Sequence, residues 1–157
     1  MTTPPPAIQP TIQEIAGRLL ARDPPPPLVP AQVFDSALTH WIDAADTPTP
    51  VKAVLHLLND DLGAAHPLAQ ATEGDPLGDY GHAIVHRREG DYDNARYWFR
   101  RIGPLPLLAE TYGPDPAAPA AFVERCRAVG RGRDAALEAF QQDELARLLA
   151  FVWGASG

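Results

Sequence analysis

Proline placement constrains this chain more than any other feature of it. Half of the 18 prolines fall in the first thirty residues, in Pro4-Pro5-Pro6 and the run Pro24 to Pro27, where the locked φ and missing N–H favour extended spacers over helix or sheet. The remainder sit in short breaks such as Thr47-Pro48-Thr49-Pro50, Asp75-Pro76 and Gly103-Pro104. Between the breaks the apolar residues recur at helical spacing, and no segment alternates as a strand would. The expected architecture is all-α: a single-domain bundle of about seven or eight helices with stacked antiparallel hairpins.

The segments follow from their start and stop residues. Thr11-Ile12-Gln13-Glu14 is a capping-box pattern ahead of Ile15, Leu19 and Leu20, predicting a short helix over 12–22 within a Pro-rich arm, residues 1–30. The arm reads as an extended connector, with a Pro-rich ligand for an aromatic groove as the alternative. The helical domain, 31–157, opens with a predicted helix over 31–45 carrying Phe34, Leu38, Trp41 and Ile42. A helix from Val51 to Leu58 follows, and Asn59 can cap another containing Leu62, Ala65, Leu68 and Ala69. Glu73-Gly74-Asp75-Pro76 predicts a turn, Asp79 a helix that Gly90 closes, and Asp91 its antiparallel partner to Ile102. Helices over 118–129 and from Asp134 onward complete the set.

Composition narrows the functional classes. The net charge of -7 opposes binding to nucleic acid or anionic lipid, which rests on basic surface. No apolar run approaches the roughly 20 residues of a membrane span, and no basic-then-hydrophobic start suggests export, so a soluble cytoplasmic protein is expected. The single Cys126 excludes an intrachain disulfide and a cysteine zinc knuckle, and its apolar helical face marks a buried small hydrophobe. Any metal centre must use His and carboxylates. The sequence does not specify an oligomeric state.

The chemistry concentrates in residues 79–103. On a helix over 79–90, Tyr80, Ala83 and Ile84 share one side, while His82, His86 and Glu89 occupy a narrow arc on another. An i, i+4 His pair can offer two imidazoles to one divalent metal; Glu89 is a third ligand or orients a histidine, and His66 on the preceding helix completes the set. The alternatives are histidines bonded to backbone or neighbouring carboxylates, or His82, His86 and Glu89 acting in proton transfer. Arg87 falls inside the apolar arc, so its guanidinium either reaches an internal carboxylate or projects into a pocket and grips an anion. On the next helix Tyr92, Ala95, Trp98, Phe99 and Ile102 form a core arc, with Asn94, Tyr97 and Arg101 clustered outside it. Arg96 and Arg100, one turn apart, could clamp a phosphate or carboxylate, or simply pair with Asp93 nearby.

Asp61-Leu62-x-x-Ala65-x-x-Leu68-Ala69 matches Asp91-Tyr92-x-x-Ala95-x-x-Trp98-Phe99 at a spacing of thirty, and the stretch from Tyr80 through Gly90, Ala95 and Phe99 resembles one tetratricopeptide unit. The block His82-Ala-Ile-Val-His86-Arg-Arg-Glu-Gly-Asp-Tyr-Asp-Asn94-Ala-Arg-Tyr-Trp-Phe-Arg-Arg-Ile-Gly103 resembles the signature of a family of uncharacterised bacterial and fungal proteins, a likeness extending over roughly 55–130. It implies no particular activity. That family usually continues His-Pro-Val-Phe after the Gly; here Pro104-Leu105-Pro106-Leu107 follows, so one family histidine is missing.

Two functional expectations emerge. One is a binding module that takes a protein partner or small anionic ligand on the 79–103 hairpin, through Arg87, Arg88, Asn94, Tyr97 and Arg101. The other is a metal-assisted, hydrolase-like or His-based enzyme built on His66, His82, His86 and Glu89. Whether the chain is an enzyme is open at this level.

Overall fold

The computed structural model describes residues 8–155; the Pro4-Pro5-Pro6 part of the arm lies outside them. They form nine helices rather than seven or eight: α1 Ile12–Leu20, α2 Ser36–Ala44, α3 Thr49–Leu58, α4 Leu62–Ala71, α5 Pro76–Glu89, α6 Tyr92–Ile102, α7 Pro106–Tyr112, α8 Ala118–Val129 and α9 Ala135–Ala155. No strand occurs among the described residues. None of these helices is long and apolar enough to cross a membrane.

The additional helix is α7. Its first residue, Pro106, needs no N–H partner there, so a proline read as a stop serves as a start. The same correction applies at α5, which opens at Pro76 with Asp75 as its cap, three residues ahead of the predicted Asp79. The cap of α4 is Asp61, whose side chain accepts from the Ala64 N–H at 3.1 Å, and not Asn59. Asn59 instead ends α3, and its buried amide bonds Asp35 and Thr39. The second helix starts at Ser36, not 31, because Asp35 caps it by accepting from the Ala37 N–H.

Two antiparallel hairpins, α3–α4 and α5–α6, stand side by side and turn in the same way. The Asp61 N–H donates to His56 O at 2.9 Å, and the Asp91 N–H donates to His86 O at 2.9 Å. Each turn passes through a residue with positive φ, Asp60 at 59° and Gly90 at 81°. Glycine takes that conformation freely; Asp60 carries a side chain with a task there, described below.

Helix α5 lies at the centre, packed by α3, α4, α6 and α9, and is buried from Gly78 through Arg88. Its apolar side joins one large core with Leu55, Leu58, Phe99, Leu145 and Leu148, and Ile15 and Leu19 of the arm helix enter the same core. Full burial of each such side chain is worth about 2 kcal/mol, which holds α1 down despite its short length. Leu28, Phe122, Cys126 and Leu137 form a smaller cluster, with the thiol buried as expected.

Candidate metal centre

Each histidine of the predicted set reaches the same point from a fixed backbone. Asp61 caps α4 and directs His66 toward α5; the Asp75 cap and Pro76 start α5, placing His82 and His86 one turn apart. His82 Nε2 lies 3.2 Å from His66 Nε2 and 3.1 Å from His86 Nε2. The ligand nitrogens of all three fall within 4.8 Å of one another. The His82 and His86 rings stack at 4.7 Å, with His66 edge-on to both. His82 and His86 are buried, whereas the His66 side chain is about one-third exposed and opens the cluster to solvent.

A single carboxylate stands behind two of the three rings. Glu89 Oε1 is 3.0 Å from His66 Nδ1, and Oε2 is 3.3 Å from His86 Nδ1. The second contact is an ion-pair distance without hydrogen-bond alignment, so His86 Nδ1, like His82 Nδ1, is buried with no hydrogen-bond partner. Glu89 therefore sits on the side of the rings away from the converging nitrogens; of its two expected roles, it has the geometry of the orienting group. Asp91 Oδ2 lies 3.7 Å from His86 Nδ1 and accepts from Asn94 Nδ2 at 3.1 Å.

The electrostatics favour the neutral form of His82 and His86. Burial first, then repulsion by His86 and His66, lowers His82 to about 4 against the opposing pull of Asp79 and Glu89. Burial likewise lowers His86, with Glu89 and Asp91 pulling the other way. Neutral imidazole is the metal-binding form.

Helix α6 supplies the adjoining wall. The Trp98 indole lies 4.3 Å from the His82 ring. Sequence periodicity assigns this residue to the core; it is indeed buried, but against an imidazole, a placement the helical period does not encode. Arg101 stacks over the same indole at 5.1 Å, donates to the Tyr97 hydroxyl at 3.1 Å and approaches Glu73, beyond α4, at 3.9 Å. Asn94, Tyr97 and Arg101 thus share the α6 edge that borders the histidines.

Arg87 and Arg88, grouped with them on sequence grounds, are elsewhere. Arg87 is in the interior, donating to Glu144 at 2.6 Å and Gln141 at 3.1 Å. Glu144 also accepts from the hydroxyls of Tyr80, at 2.8 Å, and Tyr112. Burial alone would lower the Arg87 pKa, but Glu144 more than offsets it and the guanidinium stays charged. Arg88 donates to Asp60 at 2.6 Å, and to the carbonyls of Leu57 and Pro27; Arg22 joins Asp60 at 2.9 Å. This is the task of Asp60. Arg87 takes the first of its two expected alternatives, an internal carboxylate, and not the ligand contact; Arg88 is corrected from a ligand contact to an internal ion pair, because a guanidinium without solvent needs its partners at hand. Arg96 is engaged as well, by Glu124 at 2.9 Å, and does not form a clamp with Arg100.

Compared with protein-family models, with curated proteins and with solved structures, the chain matches none, so its functional reading rests on the geometry of this centre.

Proposed function

We propose that this chain binds a divalent transition metal ion, zinc being the best fit, through His66, His82 and His86, and that the coordination position they leave open is where it acts. The convergence of three Nε2 atoms carries this reading. A neutral imidazole nitrogen either holds one proton or offers one lone pair. His82 Nε2, in contact with two other Nε2 atoms, satisfies at most one of them by hydrogen bonding. One cation facing all three lone pairs satisfies the whole set. Tetrahedral zinc sites, with bonds of about 2.0–2.1 Å, hold their nitrogens about 3.4 Å apart, near the 3.2 and 3.1 Å from His82 Nε2 to the other two, and the third pair falls within 4.8 Å.

Three protein ligands and an open fourth position are the arrangement of hydrolytic zinc sites, where the ion lowers the pKa of bound water and polarises a carbonyl or phosphoryl oxygen. Metal-assisted hydrolysis is the reaction class proposed. Asn94, Tyr97 and Arg101 border the same face, which supports a small anionic ligand approaching along α6 toward the ion. The matching turns of the two hairpins support a repeat-like, tetratricopeptide-like frame for the site.

The test is elemental analysis of the purified untagged protein after chelator treatment and reloading with zinc, beside His66→Ala and the His82→Ala/His86→Ala double variant. One equivalent of zinc per chain in the parent and none in folded variants is expected. A parent that retains no zinc, or a folded His66→Ala variant that retains it fully, would sink the reading. His66 is partly exposed, so its variant keeps the test meaningful if the double variant unfolds.

A further inference from the structure

Away from the histidines, the end of α6, α7 and the start of α8 line a half-open cavity of about 680 Å³. That lies within the range of small-molecule sites, about 300–1,000 Å³. Its apolar lining includes Phe99, Leu105, Leu108 and Ala109, and five of the lining residues are prolines. Prolines offer no N–H, so the wall is poor in hydrogen-bond donors to a ligand. The cavity is built by the segment Gly103-Pro104-Leu105-Pro106, which starts α7 and holds it off the end of α6.

Two charged residues line this space. Asp115 is occupied at the head of α8, its Oδ1 accepting from the Ala117 N–H at 2.9 Å and its carbonyl from the Ala118 N–H. The Arg100 side chain makes no hydrogen bond or ion pair with any described residue, although those of its neighbours Arg96 and Arg101 are both engaged. An apolar cavity whose one uncommitted charged side chain is a guanidinium selects a ligand with an apolar body and one anionic end. We infer that this cavity binds a small aliphatic carboxylic acid, with its chain against Phe99 and Leu108 and its carboxylate on Arg100. The inference is independent of the metal centre.

Octanoate, 1-octanol and octylamine would be titrated into the isotopically labelled full chain, following backbone and methyl resonances. Saturable shifts centred on Leu105, Leu108 and Ala109 are expected, with octanoate about tenfold tighter than octanol, the value of one charge-assisted hydrogen bond. Arg100→Ala should erase that preference and leave octanol binding unchanged. Ala109→Trp, at an exposed position of α7, should fill the space and abolish binding of both. Absence of saturable shifts with octanoate, equal affinity for octanol, tighter binding of octylamine, or indifference to Ala109→Trp would each overturn the inference.

Discussion

Glu89 Oε1 lies 3.0 Å from His66 Nδ1, a contact that reaches from the last turn of α5 across to the middle of α4. It fixes a proton on the Nδ1 side of His66 and leaves the Nε2 lone pair facing the other two histidines. Such outer carboxylates typically change metal affinity by about 10–100-fold.

Glu89→Gln should therefore lower zinc affinity by about one to two orders of magnitude, measured by competition with a chromophoric chelator. Its side chain is about one-third exposed, so the melting temperature of the metal-free protein should stay close to that of the parent. Undiminished affinity would show that the carboxylate does not orient the ring.

The metal-free protein should lose stability in acid through His82 and His86. Unfolded, His82 titrates near 6.5; folded, at about 4, through burial and the neighbouring His86 and His66, with Asp79 and Glu89 opposing. Between these values the unfolded chain binds more protons, so unfolding free energy falls as pH drops from about 6.5 to about 4. The contribution is complete above that window. Urea unfolding of parent and His82→Leu proteins across it checks this, with a shallower slope expected for the variant.

The Arg87–Glu144 pair is an interior charge pair at 2.6 Å with both side chains out of solvent. Removing one partner leaves the other charged and buried, at a cost of about 3–5 kcal/mol. Glu144→Leu and Arg87→Met should each approach that loss in chemical denaturation, while the double variant costs well under their sum. Additive losses would show that the two groups are not coupled.

Two glycines of α5 should respond oppositely to alanine. A methyl at Gly78 would stand 2.2 Å from Thr72 Oγ1 and 2.6 Å from Thr72 O, and since a backbone atom cannot swing aside, Gly78→Ala should destabilise by about 1–3 kcal/mol. Nothing lies within 4 Å of a methyl at Gly81, and Gly81→Ala should stabilise by about 0.5–1 kcal/mol through the more restricted unfolded chain. Thermal unfolding of both separates close packing from open space along one helix.

Local signals in the sequence were sufficient for most of the helices and for the histidine face. Capping residues and helical spacing locate α1, α3, α6 and α8 to within a few residues, and the i, i+4 relation brings His82 and His86 together, facing His66 of the neighbouring hairpin. Pro76 misled because proline both ends helices and starts them, and Pro106, just past the Pro104 break, starts a helix that the spacing of apolar residues does not mark. The fates of Arg87 and Arg88 depended on Glu144, fifty-seven residues away, and Asp60, twenty-eight away. Spacing on one helix holds no information about such partners. Trp98 shows the same gap: periodicity finds the buried side of α6 but not that its neighbour there is an imidazole.

The Pro27 carbonyl accepts from both Arg88 on α5, at 3.0 Å, and Gln141 on α9, at 3.2 Å. Gln142 similarly donates to the carbonyls of Leu20 and Arg22. On the ribosome, the segment at Leu20–Pro27 is thus left without its full set of anchors until α9, which carries a partner 114 residues further along, has emerged. Sequence-distant closure of this kind is paid in loop entropy before it is rewarded. Residues 20–27 should stay open to proteases during synthesis and gain protection only once α9 is in place.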